Sequence, residues 1–285
     1  MAERFAYVPS LGFCIALGYF IVLISDKIKL LTNYPQVKVF SLMTILLLAY
    51  SYKTVSRNSA WKNNLTLFET DIQTSNNSSR AHLFLGIELL KRTKETQRAI
   101  NEMSKAVAIN SKYRDAHYNL GVAFEKLNKL DSAKICYLNT IELDSMHVRS
   151  FNNIGMIYGK FGKFDKAVEN LQIAIKKVPK YGNAYTNLGS VYGKAGQFDK
   201  AIEMLNRSLK LKPSNFRAYD NLGIVYAQKR DYEKAIVNFN KALAINPKLS
   251  NAHFNLGITY QTIGEREKAK KHFEKAYQLN PKLKR

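Results

Sequence analysis

The stretch NLGSVYGKAGQFDKAI, from Asn187 to Ile202, decides the fold because the chain keeps returning to it. NLGVAFEKLNKLDSAK begins at Asn119, NIGMIYGKFGKFDKAV at Asn153, NLGIVYAQKRDYEKAI at Asn221 and NLGITYQTIGEREKAK at Asn255. Each start lies 34 residues from the next. A period of this length marks a repeat architecture, in which each unit is one supersecondary element that buries its apolar face only against its neighbours.

The units can be numbered so that the shared glycine is position 8: Gly86, Gly121, Gly155, Gly189, Gly223 and Gly257. Position 20 is then Ala99 (after a one-residue insertion in RTKETQ), Ala133, Ala167, Ala201, Ala235 and Ala269. Position 11 is large and apolar in every unit: Leu89, Phe124, Tyr158, Tyr192, Tyr226 and Tyr260. Position 32 is Pro179, Pro213, Pro247 and Pro281 in the last four. This is the tetratricopeptide (TPR) pattern of two helices per unit. Residues 79–283 fit it as six units, 79–113, 114–147, 148–181, 182–215, 216–249 and 250–283. Small residues at 8 and 20 let the two helices of a unit approach closely, and the large residue at 11 fills the gap to the next unit. Gly162, Gly196 and Gly264 stand where the first helix must end in a left-handed turn; Asn128 can substitute, whereas Arg230 departs from the pattern. Proline at 32 closes the second helix. The expected fold class is all-α: a right-handed α-solenoid of six repeats behind an N-terminal transmembrane hairpin.

The hairpin rests on two apolar runs. Val8 to Ser25 holds no charged residue and, at about 1.5 Å per residue, spans roughly 27 Å, close to a bilayer core of about 30 Å. Val39 to Tyr52 is shorter and reaches that length only if Lys38 and Lys53 snorkel to the two interfaces. The economical reading is a membrane hairpin over residues 1–56, with helices about 8–25 and 38–54; a buried soluble helix over Val39–Tyr52 competes with it. Glu3 spoils the basic start of a signal peptide, and no small-x-small cleavage site follows Ser25. Lysines on the two sides of the second run nearly balance, so charge does not orient the hairpin. Residues 57–78 read as a linker and capping helix, because Trp61, Leu65, Phe68 and Ile72 form one apolar stripe.

The formal charge of +22 is concentrated in the repeats. Residues 1–78 hold 7 Lys/Arg against 4 Asp/Glu, a net of +3, and residues 79–285 hold 37 against 18, a net of +19. Such a surface suits acidic partners, anionic membranes or non-specific nucleic-acid contact, and charge alone does not choose. No aromatic stacking platform is interleaved with the Lys and Arg residues, so no specific nucleic-acid partner is expected. Cys14 and Cys136 offer neither a disulfide framework nor a zinc pattern. His82, His117 and His253 all fall at position 4, where other units have Phe151, Tyr185 and Tyr219, and read as packing residues rather than metal ligands. HExxH, GxSxG, Walker A and GxGxxG motifs are missing from the sequence, as are paired carboxylates in an apolar setting. The expectation is no catalytic site, no metal and no cofactor within this chain.

What remains is the surface lined by the first helix of each unit, where positions 2, 6, 9 and 13 share one stripe. Position 6 is Asn119, Asn153, Asn187, Asn221 and Asn255, a ladder that Phe84 breaks in the first unit. A primary amide both donates and accepts, so the ladder suits main-chain recognition of an extended peptide whatever its sequence. Position 13 adds Lys126, Lys160 and Lys194, and position 2 adds Arg149 and Arg217, which favour acidic segments or a carboxylate terminus. These ten residues form the expected peptide-binding groove; a merely solvated asparagine face is the competing reading.

The ladder resembles the superhelix of O-GlcNAc transferases, in which such residues hold substrate peptides. Arg149, Asn153, Asn187, Arg217 and Asn221 are partly similar to the carboxylate clamp of chaperone-binding TPR domains, but lack its second basic residue in the third unit. ERFAYVPSLGFC (Glu3–Cys14), then RNSAWKNNLTLF (Arg57–Phe68), then TPRs, resembles the membrane-to-repeat junction of the transmembrane and TPR-containing O-mannosyltransferases and their prokaryotic relatives. That resemblance runs over essentially the whole chain. It implies an integral membrane protein with its repeats on the lumenal or periplasmic side, serving as the polypeptide-binding carboxyl-terminal part of a protein O-glycosyltransferase. The family's catalytic acidic residues lie in an early loop of a many-helix membrane domain, and no residue here matches them. The implied partners are the membrane and a membrane-embedded catalytic domain or subunit, beside the polypeptide of acidic character that the basic groove residues favour. A free-standing membrane-anchored scaffold stays open as the alternative.

Overall fold

The computed structural model describes residues 46–47, 49–50 and 63–284, in two units, 1–76 and 77–285. In the first unit, residues 46, 47, 49 and 50 are helical, with Leu46, Leu47 and Tyr50 exposed. The rest of the expected hairpin, over 8–25 and 38–54, lies outside the described residues, as does Trp61. Among the described residues no helix is long and apolar enough to cross a membrane. Within residues 57–78 the described residues form one helix, α1, Asn64–Thr74. Its start is set by Asn63, whose backbone is extended and whose side-chain Oδ1 accepts from the Leu65 and Thr66 amides at 2.9 and 3.1 Å. No residue of α1 is buried.

The second unit is a run of helix pairs. The first helices are α2 (Ser79–Arg92), α4 (Arg114–Lys126), α6 (Val148–Lys160), α8 (Gly182–Lys194), α10 (Phe216–Gln228) and α12 (Ser250–Thr262). Their partners are α3 (Thr96–Ile109), α5 (Leu130–Leu143), α7 (Phe164–Lys177), α9 (Phe198–Leu211), α11 (Tyr232–Ile245) and α13 (Arg266–Leu279). A 3₁₀ turn over Pro281–Lys284 follows. Each first helix packs on its own partner, and each partner packs on the first helix of the next pair. Because sequence neighbours are also spatial neighbours throughout, the result is an all-α solenoid whose buried residues form a series of clusters along the stack.

The shared small residues explain that packing. A Cβ at Gly86 would meet Met103 Cγ at 2.6 Å, one at Gly155 would meet Leu171 Cγ at 2.7 Å, and one at Gly223 would meet Phe239 ring carbons at 2.6 Å. The missing side chain at position 8 thus admits the large side chain of position 24 from the partner helix. Met103, Tyr137, Leu171, Leu205 and Phe239 are completely buried there, and each such burial contributes about 1.5–3 kcal/mol. The alanines at position 20 in the first five pairs are likewise fully buried. In the last pair only Ala269 and Ala276 of α13 are buried, so that helix presents a polar outer face.

The turn inside pairs two to six is equally regular. Asn128, Gly162, Gly196, Arg230 and Gly264 have φ of 58°, 70°, 74°, 64° and 87°. The amide of the residue after each donates back to the position 11 carbonyl at 2.9 Å, as Lys129 does to Phe124 and Asp231 to Tyr226. Arg230 therefore departs in residue type and not in backbone: it is held left-handed, where a side chain costs roughly 1–2 kcal/mol.

Candidate peptide groove

The groove is built from one face of the first helices. Position 12 fixes how closely those helices lie: Gly159 and Gly193 stand where a Cβ would meet Val191 Cγ2 at 3.1 Å and Val225 Cγ2 at 3.0 Å in the following first helix. The five ladder asparagines are all half-buried, on α4, α6, α8, α10 and α12. They are not equivalent. Asn119 Nδ2 donates to the Asp115 carbonyl one turn back at 2.7 Å. Asn187 Nδ2 donates to Asn152 Oδ1 at 2.8 Å, and Asn152 Nδ2 donates to Asn153 Oδ1 at 3.1 Å. Asn153 also interacts with the Tyr118 and Tyr137 hydroxyls. By contrast, the Asn221 and Asn255 side-chain amides have no hydrogen-bond partner among the described residues.

The cations divide in the same way. Lys160 Nζ donates to Glu125 Oε1 at 2.9 Å, and Tyr137 donates from its hydroxyl to Glu125 Oε2 at 3.2 Å. Burial, followed by the Glu125 charge, pushes the Tyr137 phenol well above its ordinary pKa, so it stays a donor. Lys126 Nζ donates to the Leu90 carbonyl at 2.8 Å, at the C-terminal end of α2, where a cation also meets the negative end of the helix dipole. Arg217 lies over the Phe216 ring, its guanidinium carbon 5.9 Å from the centroid. Arg149 is exposed and close enough to Tyr118 and His147 to act on their charges. Lys194 is exposed and has no ion-pair or hydrogen-bond partner among the described residues. Tertiary structure thus leaves Asn221, Asn255, Lys194 and Arg149 as the uncommitted members of the expected set.

Sequence reasoning missed Glu125 and Asp220, which lie at positions 12 and 5, outside the stripe it used. It also missed a recess of about 270 Å³ between the fifth and sixth pairs, lined by Ile224, Ala227, Gln228, Asn255, Ile258 and Thr262 among others. The signal was present in the residue types: position 13 is Lys in pairs two to four but Gln228 and Thr262 in pairs five and six.

The histidines sit inside the repeats. His82 Nδ1 lies 2.7 Å from Glu102 Oε2, and both side chains are buried. His117 Nε2 lies 2.8 Å from the Ser111 carbonyl. His253 Nδ1 lies 3.1 Å from His272 Nδ1; burial lowers the pKa of both rings. Among the described residues no group of three or more His, Cys, Asp and Glu could hold a metal ion. Some of the positive charge lies against rings: Lys166, Lys200, Lys234 and Lys268 lie 5.8, 5.6, 5.5 and 5.6 Å from the centroids of Tyr158, Tyr192, Tyr226 and Tyr260.

Comparison with known proteins agrees with this architecture. The tetratricopeptide-repeat family profiles match residues 115–145, 148–214 and 214–282. Human protein O-mannosyl-transferase TMTC3 is 28% identical over 138 residues, which are 48% of this chain and 14% of that protein. Mouse protein O-mannosyl-transferase TMTC1 is 30% identical over 124 residues, 42% of this chain and 12% of that one. The chain is thus homologous to these transferases over about half its length and spans only a small part of theirs. Among solved structures, the APC/C hetero-tetramer Cut9-Hcn1 superposes with a TM-score of 0.69 at 20% identity, covering 94% of this chain and 53% of that one. The pilus biogenesis factor PilW gives 0.63 at 19% identity, over 71% and 93%. These two likenesses concern the fold alone. Six stacked helix pairs, the position 8 glycines that admit the position 24 side chains, and the matched profiles together place this chain in the tetratricopeptide-repeat family.

Proposed function

We propose that the repeats bind extended polypeptide along the face of the first helices and present it to a membrane-embedded catalytic domain or subunit of a protein O-glycosyltransferase. The observation that carries the binding reading is the pair of open amides, Asn221 and Asn255, one repeat apart. Each keeps a donor and an acceptor free for peptide main chain. Lys194 and Arg149 add attraction for acidic segments, which weakens as salt rises. The link to O-glycosylation rests on the homology to the O-mannosyl-transferases. On this reading the apolar N-terminal runs anchor the chain as a hairpin, and the repeats lie on the extracytoplasmic side of the membrane.

Titration of the full chain in detergent with fluorescent unstructured peptides tests the groove. Asn221→Ala combined with Asn255→Ala should weaken binding about tenfold, since each exposed amide contributes about 0.5–1.5 kcal/mol. Unchanged affinity in the double variant would remove the ladder from the mechanism. Carbonate extraction of membranes tests the anchor, and release of the intact chain into the supernatant would defeat it.

A further inference from the structure

Position 5 lies beside the ladder and four residues before position 9 on each first helix, since in the third pair it touches the ladder residue of the next pair. In the third pair it is Asn152, which accepts from Asn187 at 2.8 Å. In the fourth it is Thr186, held by Ser208 Oγ at 2.7 Å and by Asn215 Nδ2 at 2.9 Å. The second and sixth pairs have aromatic Tyr118 and Phe254 there. In the fifth pair the residue is Asp220, half-buried, and its Oδ1 is shielded from solvent with no hydrogen-bond partner. The nearest basic residue in sequence, Arg217, is turned onto Phe216 instead, and Asp220 forms no ion pair among the described residues. A carboxylate removed from water without a partner is costly, and burial alone raises its pKa from 3.8 to about 6.

One turn along α10 from Asp220 stands Ile224, which opens the recess shared with Ile258 and Asn255. The lysine column of position 13 has ended by this point, with Gln228 and Thr262 in its place. The groove therefore changes character along its length: the lysine column of pairs two to four gives way in pairs five and six to Asp220 and an apolar recess, with Arg217 turned onto Phe216. One helical turn advances about 5.4 Å, and alternate side chains of an extended peptide are roughly 6.6 Å apart on one face. Neighbouring positions of the helix can thus receive residues i and i+2 of one peptide.

We propose that pairs five and six form a specificity pocket for a basic side chain, Lys or Arg, which pairs with Asp220, while an apolar side chain two residues away enters the recess beside Ile224 and Ile258. This rests on the groove reading above and goes beyond it. A bound polypeptide is then oriented, its acidic part toward Lys194 and Arg149 and its basic-x-apolar part at the far end.

The test uses the full chain in detergent and three labelled peptides of equal length. One is acidic along one half with Lys-x-Leu in the other, one has Ser in place of that Lys, and one has Leu-x-Lys to read the order. The Lys peptide in its preferred order should bind about tenfold more tightly than the Ser peptide. Asp220→Asn, which keeps the shape, should erase that gap while leaving the Ser peptide unchanged, and Asp220→Lys should invert it for a peptide carrying Glu at that place. Equal affinity of Lys and Ser peptides for the unaltered chain, or a gap that survives Asp220→Asn, would overturn the pocket. If the Ser peptide itself fails to bind, the groove reading falls as well, so the two failures are told apart.

Discussion

Lys160 Nζ donates to Glu125 Oε1 at 2.9 Å across 35 residues of sequence, bridging α6 and α4 on the wall of the groove. The pair is partly exposed, with side-chain exposures of 40% and 28%, so it adds only about 0–1 kcal/mol to stability. Its larger effect is electrostatic, because it cancels one of the cations the ladder face would otherwise offer.

Glu125→Gln should therefore free Lys160 while the new amide oxygen still accepts from Tyr137. Affinity for acidic peptides should rise about two- to threefold at low ionic strength, and the gain should fade toward 0.5 M salt as screening shortens the range of the charge. Titration at two salt concentrations reads both parts. A gain independent of salt would point to a reshaped groove instead.

Arg230 has φ of 64°, in the place where Gly162 and Gly196 have 70° and 74°. Arg230→Gly should stabilise the repeats by about 1 kcal/mol, the left-handed penalty less the added freedom of the unfolded glycine. Urea denaturation should show a higher midpoint with an unchanged slope. A loss of stability would mean that the arginine side chain makes a compensating contact.

Asp220 supplies a pH signature. Its folded-state pKa is raised from 3.8 to about 6, so the folded chain holds this proton more tightly than the unfolded one. The resulting stabilisation is fully present below pH 3.8 and is lost as the pH climbs through 6. Asp220→Asn should accordingly match the unaltered chain near pH 4 and exceed it by on the order of 1–2 kcal/mol at pH 7.5. An equal offset at both pH values would show that the carboxyl titrates normally. Saturating Lys-x-Leu peptide should narrow the difference at pH 7.5, because the ligand supplies the missing cation.

Glycine at position 8 is not uniformly intolerant. A Cβ at Gly223 would run into the ring of Phe239, which is completely buried, at 2.6 Å. A Cβ at Gly257 would meet Phe273 at 2.8 Å, in the last pair, where that ring is only half-buried. Gly223→Ala should cost about 2–3 kcal/mol and Gly257→Ala about 1 kcal/mol, as overpacking is relieved where the neighbour can move. Thermal melts of the two variants should differ in that order.

The sequence by itself determined the helix pairs, their stacking and their turns. Glycine or asparagine at position 15 and proline at 32 act on the backbone of their own neighbourhood, and a 34-residue recurrence of apolar positions leaves one way to bury them. Even the departure at Arg230 is visible in sequence, although only the fold shows that the chain holds it in the glycine conformation. The state of the groove was decided by tertiary structure alone. Whether a ladder amide is free depends on a side chain a full repeat away, as Asn187 depends on Asn152 and Lys160 on Glu125. Repeat numbering makes all five asparagines look alike because it records helix position and not the partner across the interface. Asp220 differs from Asn152 by one functional group in sequence, yet the Asn152 amide is satisfied while Asp220 Oδ1 is shielded from solvent without a partner. Hydrogen-bond satisfaction belongs to pairs of atoms brought within about 3 Å, and that distance is set by how the repeats stack.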